Sequence, residues 1–497
     1  MGALNRREFL SLAAGGAVTA VIPSGSYGSE FAGSKDASKR PNIIFILADD
    51  LGYGDLGCYG QEKIKTPNLN RMAAEGMRFT QHYAGSTVCA PSRCALITGL
   101  HCGHTYVRGN YLMDHVKFEG DLPIPPDTVT LAKILKRAAY TTGIVGKWGL
   151  GGPGTTGIPN KQGFDYFFGY LDQIRAHTYY PDYLWRNEEK VYLEGNRDGQ
   201  RGTYSHDLIT EEALEFVDRN RQKPFFLYLA YTIPHAELAV PADSLKQYKG
   251  KFPEEQFEGG NYRAQKTPRA AFAAMVSRMD RDIGRLFAKL KQLRIDENTI
   301  VFFTSDNGPH HEGGAGPNFF NSSGPLRGIK RDLYEGGIRV PMLARWPQKI
   351  KPGSVSDHIS AFWDFLPTTC ELAGVNPPDG IDGISYLPTL LQKEQKQHEY
   401  LYWEFFRYNW NWKQGQKDPP KNRMDKQALR MGDWKAVRLN VYKNPDAPVE
   451  LYNLKDDIGE KHNVAAQYPK IVAKIEKYLK TTRTPSKYFP MPEKRPK

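Results

Sequence analysis

Asn42-Ile-Ile-Phe-Ile-Leu-Ala48 runs directly into Asp49-Asp50. A short run dominated by β-branched and aromatic side chains, too brief for a helix and stopped by two acids, reads as a strand buried on both faces. Further runs of this kind stand at 141–145, 224–231 and 299–304. Amphipathic segments separate them, the clearest at 270–293, where Met275, Ile283, Leu286 and Leu290 fall on one helical face. Pro67 in a first turn and Gly76 past the end frame another helix. This alternation, sustained from Asn42 to about Thr389, predicts an α/β fold: a large, mixed, mostly parallel sheet sandwiched by helices. The polar run Gln392-Lys-Glu-Gln-Lys-Gln-His398 marks a boundary. We therefore expect a large domain over 40–391 and a smaller α+β domain over 392–497, closed by a helix at 468–479.

Residues 1–30 read as an export signal of twin-arginine type: Arg6-Arg7 lies within Asn5-Arg-Arg-Glu-Phe-Leu10, ahead of an apolar Ala/Gly-rich stretch reaching Ile22. The expected partner is the twin-arginine export machinery, and the expected destination is the periplasm or the medium. The apolar stretch is shorter than the roughly 20 residues that cross a bilayer, and no later stretch is longer, so stable membrane insertion is not expected. With 40 % hydrophobic and 25 % charged residues the chain has a globular composition. The net charge is +12, and residues 1–30 hold two Arg and two Glu, so the excess stays on the exported body. A basic surface suits anionic partners without saying which. Cys58, Cys89, Cys94, Cys102 and Cys370 have no C-x-x-C spacing and are too few for a disulfide-stapled scaffold, which leaves an odd thiol to be explained.

The apolar runs end in chemistry. Asp49-Asp50, Lys147, His235 and Asp306-Asn307 each follow one of them. Taken singly these are ordinary turn or solvated residues. Parallel strands, however, share one end, and open α/β sheets bind ligands beyond the carboxyl ends of their strands, so the groups are expected to meet in one cleft. Asp49, Asp50, Asp306 and Asn307 offer only oxygen donors, which suits calcium, with magnesium as the alternative, rather than zinc or copper.

Cys89-Ala-Pro-Ser-Arg93, followed by Leu96-Ile-Thr-Gly99, resembles the signature of the type I sulfatases of the alkaline phosphatase superfamily. The likeness extends along nearly the whole exported chain. It includes Arg40 to Asp55, Thr66 to Gly76, Pro224 to His235, Thr304-Ser-Asp-Asn-Gly308, Gly328-Ile-Lys330, Tyr334 to Pro341 and Glu450-Leu-Tyr-Asn-Leu454. The resemblance implies that Cys89 is oxidised to Cα-formylglycine by a formylglycine-generating or radical maturation enzyme. Its hydrated form would attack sulfur, with Asp49, Asp50, Asp306, Asn307 and the modified Cys89 around the metal. It further implies that Arg93 stabilises the hydrated aldehyde, that Lys147 and Lys330 hold sulfate oxygens, and that His235 protonates the leaving alcohol. Collapse of the sulfated intermediate would release inorganic sulfate.

One position departs from the pattern. The family reads Gly-Lys-Trp-His-Leu-Gly where this chain has Gly146-Lys147-Trp148-Gly149-Leu150-Gly151, so a proton acceptor is missing. A general base contributes typically 10²–10⁴-fold. His104 and His177 are the nearest candidates to replace it. Two alternatives to a sulfatase follow: a formylglycine phosphodiesterase or phosphonate hydrolase on the same scaffold, or a sulfated-glycan-binding protein without turnover.

The expected substrate is a sulfated carbohydrate, galactose or N-acetylgalactosamine sulfated at a secondary hydroxyl, or else a small aryl sulfate; no nucleic-acid partner is expected. Two aromatic clusters offer sugar-stacking faces. One runs from His177 through Tyr179 to Trp185; the other contains Trp403, Trp410 and Trp412 and leads into Lys413, Lys417, Lys421, Arg423 and Lys426. The competing reading is core packing for the first cluster and, for the second, a domain-interface strand followed by a solvated basic loop.

Overall fold

The strand Asn42–Ala48 forms as expected and is buried along its whole length, because it lies inside a ten-stranded sheet. The computed structural model describes residues 40–111, 120–407 and 423–493. The twin-arginine segment, Trp410, Trp412, Lys413, Lys417 and Lys421 lie outside them. Five parallel strands make the centre, in the order Thr299–Ser305, Asn42–Ala48, Phe225–Ala230, Thr141–Lys147 and Tyr166–Tyr170. Met342–Arg345 joins antiparallel on one side, followed by Met77–Phe79 and Ser354–Ser356; the hairpin Tyr183–Arg186 and Glu189–Tyr192 closes the other.

Alternation along the strands feeds two cores. Ile43, Phe45 and Leu47 pack with Cys94, Leu96 and Ile97 of the helix Cys89–Thr98 and with Leu366 of Phe365–Ala373. Ile44, Ile46 and Ala48 face the other way, toward Phe272, Met275, Met279, Ile283, Leu286 and Leu290 of Pro268–Gln292. The three- and four-residue spacing of that helix is thus its buried stripe, and each such side chain contributes about 1.5–3 kcal/mol of burial before entropy is counted.

The register aligns the strand ends that matter. Ala48 pairs with Ser305, and Leu47 and Gly146 both pair with Ala230. The strand expected at 141–145 continues through Gly146 and Lys147, because Gly146 at φ 121° brings its backbone against Ala230, where a Cβ would lie 1.9 Å from the carbonyl oxygen.

Leu401–Arg407, Arg423–Met431, Trp434–Leu439 and Val449–Asn453 form a separate four-stranded antiparallel sheet. One face takes Ile475 and Leu479 of the helix Pro469–Thr481 against Tyr402, Leu429 and Leu451. The opposite face packs Trp403, Phe405 and Val437 on Tyr83, Ile338 and Trp363 of the larger sheet's surroundings. Trp403, expected at a sugar-binding rim, is corrected by this packing: it is fully buried and its Nε1 donates to the Ala84 carbonyl at 2.9 Å. Among the described residues no helix is long and apolar enough to cross a membrane.

Candidate active site

The turn after Ala48 starts the site. Asp50 adopts a left-handed φ of 66°, and its N–H donates to Asp306 Oδ1 at 3.1 Å while Leu51 N donates to Ser305 Oγ at 2.9 Å. Asp306 N in turn donates to Ala48 O at 3.1 Å. Two strand ends are thereby stitched together, and three carboxylates face one space.

Cys89 is the first residue of the helix Cys89–Thr98, and its Sγ donates to Asp49 Oδ1 at 3.4 Å. Arg93 stands one turn further on. Its Nη1 donates to Lys147 O at 2.8 Å, and its Nη2 reaches Asp306 Oδ2 at 2.8 Å and Asp49 Oδ2 at 3.2 Å. Lys147 Nζ donates to Asp49 Oδ2 and Lys330 Nζ to Asp50 Oδ2, each at 2.7 Å. Asn307 Nδ2 donates to Asp50 Oδ1 at 2.7 Å, and His235 Nε2 lies 3.4 Å from Asp50 Oδ2. None of these nine side chains is more than 5 % exposed. Isolated buried charges are costly, and here three carboxylates are offset by three cations.

Burial would raise the Asp49 carboxyl, but the charges of Lys147, Arg93 and Lys330 hold it well below the usual range. Burial and the adjacent Asp49 charge instead push Asp306 up to about 6. Burial opposes the charges of Lys147 and Lys330 as well, yet Asp49 and Asp50 outweigh it and raise both ammonium groups. The Cys89 thiol is pushed far up, first by burial and then by Asp49, so the unmodified side chain is a protonated, poor nucleophile.

His177 is brought to the site, stacked on His235 with centroids 4.7 Å apart. Three other expected substrate residues are engaged by protein groups instead. Tyr179 is buried, and its hydroxyl contacts the carbonyls of Thr232 at 2.6 Å and His235 at 2.9 Å, so it braces the loop that carries His235. His104 belongs to a separate cluster, with Nδ1 2.9 Å from Asp382 and its ring stacked on His101. Lys426, from the expected basic segment, is bonded to Asp332 at 2.8 Å and to the Arg331 carbonyl at 3.0 Å. Residues not foreseen are His310, stacked on His235 at 5.8 Å and 3.3 Å from Glu312, and Tyr262, edge-on to His235 at 6.1 Å. The His310-His311-Glu312 run just after Asp306-Asn307 was the available signal for the first; Tyr262 had none.

The sulfatase family model matches residues 41–375, more than half of the chain, and the model for the C-terminal part of N-sulphoglucosamine sulphohydrolase matches 329–485. The chain belongs to the sulfatase family. This sulfatase is 35 % identical over 378 residues to the N-acetylgalactosamine-6-sulfatase of Canis lupus familiaris, covering 72 % of this chain and 67 % of the relative. It is 31 % identical to the N-acetylgalactosamine-6-O-sulfatase of Bacteroides thetaiotaomicron, covering 90 % and 94 %. Among solved structures it is similar to Ps i-CgsB in complex with k-i-k-neocarrahexaose, with a TM-score of 0.73 and 29 % identity over 90 % of this chain and 95 % of that one. The protein is a sulfuric ester hydrolase.

Sulfatases generally use formylglycine and a divalent metal ion, and the residues present fit both. Cys89 sits where the carboxylates converge, and the ligating atoms of Asp49, Asp50, Cys89 and His235 lie within 4.8 Å of one another. Asn307 Oδ1 is buried with no hydrogen-bond partner among the described residues, an oxygen lone pair that a cation satisfies. A cation also relieves the mutual repulsion that raises Asp306.

Proposed function

We propose that this sulfatase hydrolyses the sulfate ester of a sulfated carbohydrate outside the cytoplasm, with formylglycine formed from Cys89 and calcium held by Asp49, Asp50, Asp306 and Asn307. Magnesium is the substitute ion. The observation that carries this reading is the placement of Cys89 Sγ 3.4 Å from Asp49 Oδ1, between an all-oxygen donor set and two buried lysines. When present, the formylglycine supplies a hydrated-aldehyde nucleophile and the cation neutralises sulfate charge.

The residues divide the remaining work. Lys147 and Lys330 aim fixed positive charge at the space where sulfate oxygens sit, a preorganised stabilisation that needs no movement during reaction. Arg93 holds the Asp49 and Asp306 carboxylates in register by bridging both. The Nδ1 of His235 meets the Ala236 carbonyl, which only accepts, so Nδ1 carries a hydrogen and Nε2 faces the cleft. Burial and then Lys330 keep His235 neutral in the resting protein; an incoming anionic sulfate favours its protonated form, which donates to the departing oxygen.

A cleft beside His177, lined by Tyr180, Glu237, Tyr262 and Arg263, has a volume of about 780 Å³. That is room for a saccharide unit and part of its neighbour, with two aromatic faces to stack on and polar groups to orient it. The relatives named for N-acetylgalactosamine 6-sulfate favour a galactose-type ring, and the similar structure in complex with k-i-k-neocarrahexaose supports an oligosaccharide substrate. The Arg6-Arg7 signal supports twin-arginine export to the periplasm or medium, and Cys89-Ala-Pro-Ser-Arg93 supports processing by a formylglycine-generating or radical maturation enzyme.

The test is release of inorganic sulfate from defined galactose and N-acetylgalactosamine saccharides sulfated at primary and secondary positions, beside an aryl sulfate and a phosphonate monoester. Turnover of a sulfated saccharide above the other two is expected. Turnover of the aryl sulfate or phosphonate alone would remove the carbohydrate assignment.

A further inference from the structure

The Gln173 side chain is 4 % exposed, yet neither its Nε2 nor its Oε1 has a hydrogen-bond partner among the described residues. A buried carboxamide left in that state costs about 1–3 kcal/mol, so the fold alone gives no reason to keep it. Its backbone is pinned. The ladder beyond the strand Thr141–Lys147 continues with Trp148 N donating to Tyr170 O at 2.9 Å and Gly149 N to Leu171 O at 3.0 Å, and Gln173 N donates to Asp121 Oδ2 at 2.9 Å. This register lays the carboxamide directly over Gly149: a Cβ built there would lie 1.8 Å from Gln173 Nε2. Gly149 is two residues past Lys147, whose charge reaches Asp121. The same loop then carries His177 onto His235.

We propose that the Gln173 carboxamide, seated in the space a side chain at position 149 would fill, is a substrate-contacting residue that donates a neutral hydrogen bond to the bound sulfate on the Lys147 side. Gly149 is then a partner of Gln173: the absence of a side chain at 149 is what admits the amide. A carboxamide neither takes nor gives up a proton over the working pH range, so Gln173 binds and orients but does not act as a base. The inference rests on the sulfatase reading of the site.

The experiment uses the mature, metal-loaded enzyme with Gln173→Ala, Gln173→Glu, Gly149→His and the double variant Gly149→His/Gln173→Ala. It measures kcat/KM on an aryl sulfate, inhibition by inorganic sulfate, and Tm. A hydrogen bond to a charged group corresponds to a loss of about 10- to 100-fold, so Gln173→Ala lowers kcat/KM by that factor and weakens sulfate inhibition, without lowering Tm. Gln173→Glu keeps the shape but sets an anion against sulfate, and loses more than Gln173→Ala. Gly149→His collides with the amide and also strains a backbone held at φ 83°, lowering Tm; the double variant relieves the collision and recovers part of the loss. Unchanged kcat/KM and sulfate inhibition in Gln173→Ala, or losses that merely follow Tm, overturn the proposal while an active wild type keeps the sulfatase reading. A wild type that releases sulfate from no ester overturns both.

Discussion

The imidazole of His177 lies flat against that of His235, with ring centroids 4.7 Å apart and planes 10° from parallel. Stacking on one face and the Tyr179 hydroxyl at the His235 carbonyl fix the ring with Nε2 toward Asp50. A positioned proton donor matters most when the leaving group is a poor one. His235→Ala should therefore cut turnover of a sugar sulfate by about 10²–10⁴-fold and that of an activated phenol sulfate far less. His177→Ala should show the same ordering with smaller losses. Steady-state kinetics on the two substrates decides, and equal losses would take His235 out of the donor role.

The unmodified Cys89 thiol is held protonated by burial and by Asp49, and the proposed mechanism calls for its conversion to formylglycine. Peptide mass spectrometry of active enzyme should find formylglycine at position 89. Cys89→Ala should abolish turnover and keep Tm close to the parent, because removing one small buried sulfur leaves little cavity. A thiol at position 89 in fully active enzyme would falsify the nucleophile assignment.

On the proposed reading, the donor set around Asn307 Oδ1 takes a hard cation. Metal analysis should return calcium or magnesium, chelation should abolish activity, and calcium should restore it. Asp306→Ala should lose both the metal and at least 10²-fold in kcat, the scale of one preorganised electrostatic group. Stoichiometric zinc, or full activity after chelation, contradicts the hard-cation set.

Asp55 lies apart from these groups, fully buried, with Oδ2 accepting from Gly52 N at 2.7 Å. Burial raises its carboxyl from 3.8 to about 7, even with the Ser322 hydroxyl and the Gly52 N–H in support. The folded state thus binds this proton more tightly than the unfolded chain does. The stability it contributes is fully present below the unfolded value of 3.8 and is lost as pH rises through about 7. Asp55→Asn should flatten that part of the stability–pH curve, raising stability by roughly 1–3 kcal/mol near pH 8 with little change near pH 4. Denaturant melts across this range provide the check, and an unchanged slope would show that Asp55 titrates normally.

The sequence by itself determined the central strands, because runs such as Asn42–Ala48 are apolar on both faces and only the interior of a parallel sheet accommodates that. It also named the groups that meet at the site: Asp49, Asp50, Lys147, His235 and Asp306 follow such runs, and parallel strands deliver their ends to one edge. Asn307 follows Asp306 past the same strand, whereas Cys89, Arg93 and Lys330 were legible only through the resemblance of their motifs to the sulfatase signature. Only the tertiary structure decided what the other aromatic and polar side chains do. Trp403 alternates between two faces of a sheet that is covered on both sides, and no window of sequence says that the second face meets Tyr83 and Trp363. Tyr179 and His104 are taken up by Thr232, His235 and Asp382, partners 53, 56 and 278 residues away along the chain. The seat of Gln173 over Gly149 depends on the register between two strands, which is set by long-range packing and leaves no trace in either segment read alone.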